Sequence, residues 1–84
     1  MNNDRMQALG QYEATKKQLY ELGIKAQSMV NSIFEETNSF LTEKDFSTMD
    51  FKMIETLAKE LQQLQSDYNE KSLRMKKLKE TYNF

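Results

Sequence analysis

The chain has 84 residues with no cysteine, histidine or proline and 2 glycines, which excludes disulfides, thiolate nucleophiles, imidazole bases, the usual zinc ligands and most of the punctuation that strands and tight turns need. Its 12 basic and 13 acidic residues leave a net charge of -1, which argues against a general nucleic-acid binder and against an acidic mimic of nucleic acid when averaged over the chain. Good helix formers dominate, so an all-α chain is expected, organised as one domain over 1–84 whose core is marginal unless oligomerisation adds buried area.

The first residues, Met1-Asn2-Asn3-Asp4, lack a basic region followed by an apolar stretch, and no apolar run approaches the roughly 18 residues needed to span a bilayer. A cytoplasmic protein without membrane partners is expected. Asn2 or Asn3 can cap a first helix predicted over about 3–37. Along it Tyr12, Leu19, Ala26 and Ile33 recur every seven residues, with Ala8, Leu22 and Met29 between them and Thr15 and Lys16 interrupting. Tyr20, Ile24 and Phe34 form a second apolar face, and Gly23 with Ala26 would let another helix approach closely. Asn38-Ser39 offers the turn chemistry that should end the helix.

A connection over about 38–47 follows, in which Thr42 and Asp45 have the spacing of a capping box and suggest a short helical turn at 43–46. Ser47 with Asp50 repeats that signature, and Phe46 can staple onto Phe51, so helix 2 is predicted over about 48–82. Ile54, Leu57, Leu61, Leu64, Tyr68, Lys71, Met75, Leu78 and Tyr82 then occupy alternating seam positions of consecutive heptads. That period selects a helix with a narrow seam of the coiled-coil kind. Phe51, Met53 and Leu73 lie outside the seam.

Two long helices with a short link pack antiparallel. If Ile33 lies level with Ile54, then Ala26 meets Leu61, Leu19 meets Tyr68 and Tyr12 meets Met75. The interruption of one stripe, Thr15-Lys16, falls beside the interruption of the other, Lys71. One shared polar layer costs less than two separately buried polar groups, and such a layer fixes register. A sharper reading makes Lys16, Lys17, Lys71 and Arg74 a candidate anion site. Residues 35–55 carry six acids against two bases; residues 1–20 with 68–84 carry eight bases against four acids, so the loop end is acidic (-4) and the open end basic (+4). Acids at the start of helix 2 and bases at its end complement the helix dipole, which is the ordinary source of such an asymmetry.

Nothing in the sequence names a reaction. There is no glycine-rich phosphate loop, and Glu35 and Glu36 are adjacent, so they diverge around a helix instead of converging on a substrate. Carboxylate binding of Mg²⁺ near Glu43 and Asp45 is a minor alternative, and no cofactor is implied. The surplus apolar residues Tyr20, Ile24, Phe34, Phe51, Met53 and Leu73 want a partner, most economically a second copy completing a homodimeric four-helix bundle. The expected function is therefore a non-enzymatic protein–protein interaction module of chaperone, scaffold, adaptor or inhibitor type. The alternative is an oligomeric binder of an anionic small ligand of nucleotide type, or of a nucleic-acid end, at the basic open end. In size and hairpin shape the chain resembles the small helical proteins of type VII secretion, without their Trp-x-Gly turn. Its Asn- and Lys-rich composition and brevity would suit an accessory protein of a phage or mobile element.

Overall fold

A computed structural model describes residues 2–43 and 45–84. Three elements follow one another: α1 (Asn2–Thr42), a 3-10 turn η1 (Phe46–Thr48) and α2 (Phe51–Tyr82), with no strand among the described residues. The helices fold back on each other as an antiparallel hairpin measuring 64 × 17 × 15 Å. Its radius of gyration is 18.8 Å, against about 12 Å for a compact domain of this length. No helix is long and apolar enough to cross a membrane among the described residues.

The register follows from the two stripes. Ala26 and Leu61 line one groove, Leu19 and Tyr68 another hollow, and Tyr12 and Met75 a third. Between the last two levels lies the polar layer. Thr15 is only 4% exposed and Lys71 is half-buried, whereas Lys16 points into solvent. The seam thus receives the short hydroxyl of Thr15, and Lys16 stands beside the layer without entering it. A β-branched side chain can fill such a position, while the long stem of Lys71 can run along the seam and keep its ammonium wet.

The element boundaries differ from the expected ones. α1 runs to Thr42, through Asn38-Ser39, because the local hydroxyls bond back into the helix: Ser39 Oγ donates to Glu35 O at 2.8 Å and Thr37 Oγ1 to Ile33 O at 3.1 Å. Turned inward in this way, Ser39 no longer competes for a turn. The extension also brings Phe40 against Phe46 at 5.6 Å. The helical turn expected at 43–46 includes Lys44, outside the described residues; the turn that forms is η1 at Phe46–Thr48, capped by Asp45 accepting from Ser47 N–H at 3.0 Å. α2 starts at Phe51, and Asp50 is its cap, accepting from Met53 N–H at 2.9 Å. Ser47 has no part in that cap, since an aspartate three residues before Met53 N–H reaches the orphan donor directly. The Phe46–Phe51 contact nevertheless forms, at 5.6 Å between ring centroids. Of the caps expected for α1, Asn3 lies inside the helix, and the side chain of Asn2 falls outside the described residues.

Two contacts close the ends of the hairpin. Glu36 Oε1 accepts from Asp50 N–H at 2.7 Å, so α1 supplies the acceptor that a capping box would draw from within α2 itself. At the other end Asn83 adopts the left-handed conformation (φ 61°), with its N–H and that of Phe84 both directed at Lys79 O. This reversal lays the Phe84 ring on Tyr82 at 5.9 Å and Tyr12 at 5.4 Å, with the Arg5 guanidinium 5.1 Å from its centroid. A ring between a cation and two aromatics is favourably placed on electrostatic and apolar grounds.

Candidate functional site

A hairpin of two helices has a seam and no core. Among the described residues only Ala8 and Thr15 are buried, and the other seam residues are at most half-buried apart from Tyr68, which is exposed. The molecule exposes 6737 Å² at 10.0 kDa, where a compact monomer of that mass exposes about 5,200 Å². The excess is apolar in part, and helical spacing decides where it lies.

Tyr20, Gln27, Phe34 and Leu41 share one heptad position on α1; Leu9, Gly23 and Val30 share the position between it and the seam. On α2 the corresponding position holds Phe51, Ala58 and Gln65. In an antiparallel pair these positions edge the same side of the molecule. The hollows agree for Tyr20, Gly23, Gln27, Ala58 and Gln65. A groove of about 660 Å³ is lined by Gly23 and Ala26 of α1 with Ala58, Leu61 and Tyr68 of α2, and amides of Gln62, Gln65 and Asn69 rim it. A second, of about 330 Å³, adds Tyr20, Ile24 and Gln27. One broad side of the hairpin therefore carries Tyr20 (71% exposed), Ile24, Val30, Phe34 (62%), Leu41 (79%) and Phe51.

The groove exists because small residues stand where the heptad would place larger ones. A Cβ added at Gly23 would meet nothing within 4 Å, so nothing in this chain needs a glycine there. Gly10 has the same freedom but lines neither hollow.

Of the six residues expected at an interface, Tyr20 and Ile24 line one hollow together, and heptad position sets Phe34 and Phe51 toward the same side. Met53 does not join them, because it lies one residue before the seam position Ile54, on the opposite edge, where with Asp50, Lys52, Thr56 and Leu57 it lines a separate hollow. Leu73 stands on the outer side of α2, 53% exposed. The four cations expected at an anion site are less concentrated: Lys16, Lys17 and Arg74 are exposed, and Lys71 is half-buried in the seam. The hollow at that end, about 300 Å³, is lined instead by Lys76 and Lys79 with Tyr12, Leu19, Ser72 and Met75. Those two lysines were legible only as part of the basic run, since their convergence depends on which edge of α2 faces the groove. Glu43 and Asp45 are exposed, Asp45 serves as the η1 cap, and no group of three or more Asp or Glu is placed to hold a metal ion among the described residues.

Comparison with protein-family models, with curated proteins and with solved structures finds no match to this chain.

Proposed function

We infer that the protein is a non-enzymatic interaction module of chaperone, scaffold, adaptor or inhibitor type, whose apolar face is covered by another polypeptide to make a bundle of four helices or a similar layer. The observation that carries this reading is the face itself: six exposed apolar side chains on one side of a rod that buries only Ala8 and Thr15 among its described residues. Single exposed apolar residues are ordinary, but a contiguous set around an apolar groove marks a contact surface. An amphipathic helix pair needs a further layer to bury its second stripe. The absence of histidine and cysteine, and a main groove without a charged residue in its lining, favour binding over chemistry.

The test is capture by the tagged full chain followed by mass spectrometry of proteins and nucleotides together. Association dependent on Tyr20, Ile24 and Phe34, and lost on their replacement by alanine, is expected. Nucleotide-type ligands that co-purify, raise the melting temperature and are lost on Lys71→Ala or Arg74→Ala would instead favour an anion site at the open end. That second reading has less support, because the rings that could stack a base are already engaged, Phe84 being stacked on Tyr82 and tilted against Tyr12.

A further inference from the structure

We propose that the face is covered by a second copy of this chain, running antiparallel, with Phe34 of each copy seated in the Gly23–Ala26–Ala58 groove of the other. This deepens the interaction reading above and rests on it. The face carries both halves of the contact. Phe34 shares the heptad position of Tyr20 and Gln27, which border the groove's neighbouring hollow. It stands about 16 Å along α1 from Gly23, at 1.5 Å per residue. A surface with an exposed ring and a hollow at a fixed separation complements itself under a two-fold axis midway between them, here near residues 28 and 29.

Charge selects the direction. About that axis α1 runs against α1 of the second copy, and Leu41 comes level with its Lys16. The acidic loop end, six acids against two bases, then reaches the hollow edged by Lys76 and Lys79. A parallel pairing would bring the two acidic ends together and the two basic ends together, which is unfavourable. Area is sufficient. The overlap spans residues 15–42 of each α1, about 42 Å at the helical rise, and with the 17 Å width it covers roughly 700 Å² per copy, within the range of a standard specific interface. The bare Cα of Gly23, unexplained within one chain, is what a second helix needs to come close.

The test uses the full chain, whose lack of cysteine makes any introduced thiol unique. Sedimentation from about 1 to about 100 µM, the range over which a micromolar association appears, is expected to give twice the chain mass at the upper end. Gln27→Cys, about 4.5 Å along the axis from its copy, is expected to form an intermolecular disulfide. Leu41→Cys, about 37 Å from its copy, is expected not to. Gly23→Leu and Phe34→Ala both change exposed positions and should keep the helical circular dichroism, yet each should weaken the dimer about tenfold or more. The mass of a single chain throughout overturns the second copy; if that monomer still captures another protein through Phe34, the interaction reading stands alone. A Leu41→Cys disulfide overturns the antiparallel direction, and a dimer indifferent to both Gly23→Leu and Phe34→Ala overturns the groove.

Discussion

Asp50 holds the start of α2 through one carboxylate oxygen on Met53 N–H, while its own N–H is taken by Glu36. The two bonds share the work that a capping box does inside one helix. Asp50→Ala should therefore cost about 1 kcal/mol in urea denaturation, as loss of a cap does. Ser47→Ala should cost little, since its N–H rather than its hydroxyl makes the bond to Asp45. Equal losses for the two would return the cap to Ser47. Glu36→Ala removes the acceptor for a partly exposed N–H and should cost about 1 kcal/mol. At Gly23 the sign reverses. Nothing lies within 4 Å of an added Cβ, so Gly23→Ala should stabilise the hairpin by about 1 kcal/mol, measured by thermal unfolding at low concentration. A destabilised hairpin there would mean that a neighbour within the chain is closer than the geometry gives.

Along the elements, the heptads carried the most information. Both seams keep their period across nearly the whole of each helix, so once Ile33 is set level with Ile54 the pairing of Ala26 with Leu61, Leu19 with Tyr68 and Tyr12 with Met75 follows from spacing, and the grooves place these residues together. Thr15 and Lys71 mark the level where both seams turn polar. Replacing that layer by an apolar one, Lys71→Leu, should raise the hairpin's stability by about 1 kcal/mol and weaken its single register, as removing a polar seam residue does in coiled coils. A fall of similar size in the melting temperature series would show that Lys71 holds a favourable bond in the seam. The loop was less legible. An aspartate can serve as a cap or as the third residue after one, and sequence alone does not choose between Asp50 in either role. Asn38-Ser39 has turn chemistry, but hydroxyl bonds to the preceding turn and the Phe40–Phe46 contact outweigh it. The Glu36–Asp50 link joins residues 14 apart and leaves no local signature. The face was half legible: the stripe containing Tyr20, Ile24 and Phe34 follows from period, whereas the separation of Met53 and Leu73 from Phe51 depends on which edge of α2 lies beside which edge of α1.

For the whole molecule, shape and charge bear on the same question. A rod 64 Å long and 15 to 17 Å thick cannot enclose a core, so its stability and its function both depend on what lies against its open side. If oppositely charged ends guide the antiparallel pairing, raising salt from about 50 mM to about 500 mM should weaken the association several-fold, because exposed charges beyond a Debye length are then screened. Salt-independent association would assign the direction to apolar packing alone. The covering of the face can be read directly by hydroxyl-radical footprinting of the unmodified chain at rising concentration. Tyr20 and Phe34 should lose most of their oxidation as the chain associates, while Met53 on the opposite edge keeps its own rate. Unchanged oxidation of Tyr20 and Phe34 at every concentration, or protection of Met53 in their place, would contradict the covering of this face by a second copy.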